Sequence, residues 1–150
     1  MTGIPVSVAP PTPEGRLYPR YQNSIGILTL STNVSRRCPF GINIDGSLIL
    51  DFDEEGLLAG VELLLPMSTW KGKASISEPS GPAGNLLLSI SERASAWHDW
   101  SVTVSKNVQT DAARIAFGSG HYNRSIALSD TCRGLLLDHQ LTGFWFTLAR

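Results

Sequence analysis

The chain has 150 residues, a length that suits one domain better than two. Its 42% apolar share excludes general disorder, and its charged share, 17%, is below the roughly 25% usual for soluble proteins. Lys and Arg (12) nearly balance Asp and Glu (13), which excludes both the basic footprint of a nucleic-acid-binding domain and a strongly acidic nucleic-acid mimic.

The first ten residues lack the cationic start and long apolar run of a secretory signal, and Pro5 interrupts the short apolar stretch at 4–9. Residues 1–20 hold five of the nine prolines: Pro5, Pro10, Pro11, Pro13 and Pro19. Proline has no backbone N–H and favours extended backbone, so a flexible or surface-draped arm is expected there, followed by one β-rich domain over 21–150. Ile25, Ile27 and Thr29 alternate with Leu28 and Leu30, and Ile42 and Ile44 alternate with Asn43 and Asp45, as in half-buried strands. The runs 48–52 and 57–65 are almost unbroken apolar stretches, the pattern of strands buried on both faces. Pro79, Gly81, Pro82 and Gly84 then crowd a break at 75–85.

Beyond the break the strand period returns at Leu86, Leu88 and Ile90, at Trp100, Val102 and Val104, and at Ile115 and Phe117. It continues at Ile126 and Leu128, and in the runs 135–137 and 144–148. Short helices are expected at 91–97 and 110–115. The pattern predicts a mainly β fold, an antiparallel sheet, sandwich or barrel, with at most one or two short helices. No apolar run reaches the length of a membrane-spanning helix.

The two halves echo one another. Ile42-Asn-Ile-Asp45, Leu48-Ile-Leu-Asp51 and Leu58-Ala-Gly60-Val-Glu-Leu63 are answered by Ile126-Ala-Leu-Ser129, Leu135-Leu-Leu-Asp138 and Leu141-Thr-Gly143-Phe-Trp-Phe146. In this alignment the second turn is four residues shorter. The echo predicts two related meanders, over 21–74 and 85–150, packed face to face or joined edge to edge.

Six of the thirteen acids fall between Asp45 and Glu62, with no Lys or Arg between Arg37 and Lys71. The stretch from Asp51 to Glu62 matches a twelve-residue calcium loop: oxygen ligands at positions one, three and five, Gly56 at six, Glu62 at twelve. Its flanks argue otherwise, because that loop needs helices on both sides and 42–50 is strand-like. A hairpin whose turn is Asp53-Glu-Glu-Gly56 fits better, with Gly56 supplying a positive φ. The same residues resemble a widespread family of small uncharacterised bacterial domains that share an apolar strand, Asp-x-Asp-x-x-Gly, then Gly-[Ile/Val]-Glu-[Ile/Leu]. That resemblance covers 25–65 and implies a β-hairpin and no chemistry.

Catalytic and metal signals are weak. His98, His121 and His139 have no zinc-like spacing, and Cys38 and Cys132 form no CxxC pair, which points to free thiols in a cytoplasmic protein. Gly118-Ser-Gly120-His121 lacks the lysine and spacing of a phosphate loop, and Arg36-Arg37 reads as a solvated turn. Exposed aromatics are expected at Trp70, Trp97, Trp100, Tyr122 and Trp145, and nine Arg against three Lys suit an interface. The sequence therefore reads as a non-catalytic protein-binding module without cofactor, most concretely a bacterial immunity-type protein that caps a toxin. Its expected contact residues are Asp53, Glu54, Glu55, Trp97 and Trp100, the acids lying near the exposed aromatics. The alternative is a small enzyme or ligand-binding barrel with His98, Asp99, His121 or a cysteine in a pocket.

Overall fold

The computed structural model describes residues 2–22, 24–73, 76–93 and 96–148. Among these residues, fourteen strands follow in chain order. They begin with β1 (Ile4–Ala9), β2 (Tyr18–Gln22), β3 (Ile27–Ser31), β4 (Phe40–Ile44), β5 (Leu48–Phe52), β6 (Leu58–Leu63) and β7 (Lys71–Lys73). The rest are β8 (Asn85–Leu88), β9 (Ala96–His98), β10 (Thr103–Asn107), β11 (Ala112–Ala116), β12 (Arg124–Ala127), β13 (Cys132–Leu137) and β14 (Gln140–Thr147). Among the described residues, helical structure amounts to three single 3-10 turns, at Pro13–Gly15, Met67–Thr69 and Ile90–Glu92.

The expected β fold is present, as two sheets rather than a closed barrel. The first has the order β12-β13-β14-β11-β10-β7, with β1 bridging from β14 to β8; the second runs β2-β3-β6-β5-β4-β9. Pairing is antiparallel except at β7 on β10 and β9 on β4. One buried cluster draws on both sheets, including Leu28, Ile44, Leu50 and Phe52 from the second and Ile115, Ile126, Phe144 and Phe146 from the first. That shared interior is the core of a β sandwich.

Local patterning explains the layers, with some corrections. β5 alternates, with Leu48, Leu50 and Phe52 buried and Ile49 and Asp51 half-buried, so this run is not buried equally on both faces. The helix expected at 110–115 is instead β11, because Ala113 and Ile115 alternate into the core and β10 and β14 hydrogen-bond it on both sides. The expected helix at 91–97 is reduced to the Ile90–Glu92 turn and then β9; residues 94 and 95 lie outside the described residues.

The proline-rich start is extended as expected, yet it is no draped arm. Ile4 and Val6 are buried, β1 pairs antiparallel with β14 and β8, and Leu17 is fully buried. Pro5 is accommodated where β1 crosses from one partner to the other. The segment from 76 to 85 is likewise clamped rather than loose. Arg133 pairs with Glu78 at 3.0 Å, the Ser125 hydroxyl donates to the Ser80 carbonyl, and the Ala127 N–H donates to that of Pro82.

Both sheets contain the same connectivity, β2-β3-β6-β5-β4 in one and β10-β11-β14-β13-β12 in the other. Their registers correspond too. Gly60 faces Asp51 and Leu58 faces Phe52 across an irregularity; Gly143 faces Leu135 and Leu141 faces Leu136 across another. Asp51 therefore matches Leu135, not Asp138 as the sequence echo aligned it. The connecting turns differ by one residue (53–57 against 137–140) rather than four.

Candidate functional site

The acidic turn comes first, because sequence singled it out. Gly56 has φ +86°, the left-handed backbone the hairpin turn requires. Asp53 is buried, and its Oδ1 accepts from the backbone N–H groups of Glu55 and Leu57, both at 2.9 Å. Its Oδ2 pairs with Arg36 at 3.1 Å, and Glu54 lies 3.9 Å from Arg37. Asp53 thus holds the turn shut, and Arg36 is an ion-pair partner rather than a solvated turn residue. Because both Asp53 oxygens are committed, calcium is expected to leave the melting temperature unchanged. A tight site would add about 2.7 kcal/mol at a hundredfold excess over its dissociation constant, so a clear upward shift would refute this.

Trp97 and Trp100 lie elsewhere. β9 pairs with β4 so that Trp97 faces Asn43, and the Asp45 N–H donates to the His98 carbonyl at 2.7 Å. These contacts put Trp97 at the start of β5, whereas Asp53, Glu54 and Glu55 follow its other end. The five expected contact residues are not brought together. Trp97 is 60% exposed on a strand whose neighbouring residues include exposed Asp45, tied to the His98 carbonyl, and exposed Asp99. Trp100 is half-buried, stacked on His98 at 4.2 Å and packed toward Phe117. Trp70 and Trp145 are buried, contrary to expectation.

The pocket expected around histidine, aspartate or cysteine does not converge. His121 uses its backbone carbonyl to accept from the Thr142 hydroxyl, on the other sheet from His98. Burial pushes the thiol of Cys132 far up, and that of Cys38 is raised by burial and then by Asp51 and Asp53, which disfavours the reactive thiolate in both. Both cysteines are free. Among the described residues, no group of three His, Cys, Asp or Glu side chains could hold a metal ion, and no helix is long and apolar enough to cross a membrane.

Asp51 lies between Gly41 and Gly60 of the flanking strands. Burial, and then the Glu62 carboxylate, raise its pKa above its ordinary value. The folded chain therefore holds this proton more tightly than the unfolded chain, and ionisation costs stability as pH rises. Asp51→Asn is expected to raise the melting temperature at neutral pH, with the gain vanishing below the ordinary Asp value of about 3.9. Lower stability of the variant at neutral pH would contradict this.

One concavity was not foreseen from sequence. It is a cavity of about 390 Å³ on the outer face of the first sheet. Cross-strand pairing aligns Arg133, Trp145, Arg114, Ser105 and Lys71 in one row over β13, β14, β11, β10 and β7. Arg114 and Trp145 line the cavity with Ser105, Thr103, Tyr122 and Lys73. The Arg114 guanidinium lies 4.9 Å from the Tyr122 ring centroid and donates through Nη2 to the Gly120 carbonyl. Its Nε–H and the Trp145 Nε1–H are both buried without an acceptor among the described residues. A buried donor left unmade costs about 1–3 kcal/mol, so two neighbouring ones are an unusual expense for a face with no task. Sequence missed this site because Arg114 lay in the supposed helix and Trp145 in an apolar run. The cue was Arg and Trp on one face of adjacent strands, which only the register reveals.

The fold and these two surfaces define a two-sheet β protein with an edge-strand aromatic patch and an outer-face cavity. The chain matches no protein-family model and no curated protein.

Proposed function

We propose that the chain is a protein-binding module, and that its recognition surface is the Trp97 end of the second sheet. The observation that carries this reading is a tryptophan 60% exposed on β9, the outermost strand of that sheet. Trp is the side chain that most often anchors an interface, and an edge strand offers unpaired backbone groups to an extended partner segment. The carboxylates of Asp45 and Asp99 beside it favour a partner with a basic contact surface. The most concrete form of this reading is a bacterial immunity-type protein that caps a toxin. Two free cysteines support a reducing, cytoplasmic setting. The matched strand order and register of the two sheets support an origin by internal duplication, and the 25–65 hairpin resemblance adds no chemistry to it.

The test is co-purification from the native host with mass spectrometry, followed by affinity measurements on the recovered pair. A one-to-one complex is expected, weakened by about 2 kcal/mol or more in Trp97→Ala and weakened in a salt-dependent way by Asp45→Lys with Asp99→Lys. A complex indifferent to Trp97→Ala would place the recognition surface elsewhere.

A further inference from the structure

We propose that the cavity on the outer face of the first sheet is a binding site for a small organic oxyanion, a carboxylate or phosphate carried on an apolar or aromatic body. The charge of the lining selects the sign. Lys73 and Arg114 are the cations that line it, and no carboxylate lines it among the described residues. Hydroxyls of Ser105, Thr103 and Tyr122 add neutral hydrogen-bonding groups.

Two observations beyond charge point to an acceptor. Trp145 is only 4% exposed, and its indole N–H has no partner among the described residues. The buried Nε–H of Arg114, its direct cross-strand neighbour, has none either. Indole and guanidinium N–H groups can only donate, so what each lacks is an oxygen with spare lone pairs, and an oxyanion supplies one with charge assistance. The guanidinium is already oriented by Tyr122 and the Gly120 carbonyl, which lowers the ordering cost of binding.

The remaining walls define the rest of the ligand. Leu135, Ile76 and Pro79 supply apolar surface beside the Tyr122 ring, and a volume of about 390 Å³ suits a small molecule rather than a peptide. This site lies on the other sheet from the Trp97 patch, so it stands or falls independently of the protein-binding proposal.

The experiment is a ¹⁵N-NMR titration of the indole N–H resonances, of which the four tryptophans give four. Trp145→Phe identifies one by its loss. The probes are benzoate, phenylphosphate and, as a neutral match, benzyl alcohol. The Trp145 resonance of the wild-type chain is expected to shift saturably with benzoate, with phenylphosphate or with both, and the responding probe distinguishes carboxylate from phosphate. Benzyl alcohol is expected to bind about tenfold more weakly or worse, and Arg114→Gln to weaken the oxyanion by a similar factor. The absence of a saturable shift with either oxyanion overturns the proposal, as does equal binding of benzyl alcohol. Undiminished affinity in folded Arg114→Gln does the same. The wild-type titration decides the matter even where that variant does not fold.

Discussion

Phe146→Ala is expected to lower unfolding stability by about 3–5 kcal/mol, the range for removing a fully enclosed aromatic ring. Phe146 is 0% exposed in β14, between Ala113 of β11 and Cys132 of β13. Trp70 meets its ring edge-on, with centroids 6.2 Å apart. A strand held on both sides cannot collapse into the space left behind, so the cavity persists and adds to the lost burial. Urea unfolding measures the loss, and the fluorescence of Trp70 should change in the folded variant because its ring contact is gone. A loss below about 1 kcal/mol would mean that the two sheets repack around the gap.

Asp53→Ala is expected to cost about 3 kcal/mol, which is large for a residue in a turn. The substitution removes two backbone hydrogen bonds inside the turn and leaves Arg36, 25% exposed, without its carboxylate. Asp53→Asn keeps an oxygen for the turn and loses the ion pair, so it should recover part of the loss. A matched pair of urea curves gives both numbers. Equal stability of wild type and Asp53→Ala would show that the turn is held by Gly56 and the strands alone.

The sequence revealed the strands whose alternation was regular and whose ends carried turn residues. β3 to β6, β8 and β12 to β14 overlap the expected stretches because a period of two with one buried face leaves little freedom. β1, β2, β7 and β9 were missed for separate reasons. Proline masked β1 and β2, while β7 and β9 are three-residue edge strands defined by their partners alone. Site residues were harder still. Clustered acids suggested a bare charged surface, yet Arg36, from the segment before β4, pairs with the buried Asp53. The row through Arg114 and Trp145 joins residues 31 positions apart by strand pairing, and no local pattern encodes it.

The pairing of β1 has a consequence for synthesis. Ile4 and Pro5 seat against Leu141 and Gln140, and Val6 to Ala9 against 85–88. On the ribosome, β2 to β6 can pair with one another as soon as they emerge, while β1, made before them, must wait for β8 and, at Ile4 and Pro5, for β14. Such distant closure slows folding and leaves an apolar edge open in the meantime. The nascent chain therefore passes through a stage in which half the sandwich is built and its other sheet still lacks a central strand. Holding chaperones would matter most at that stage.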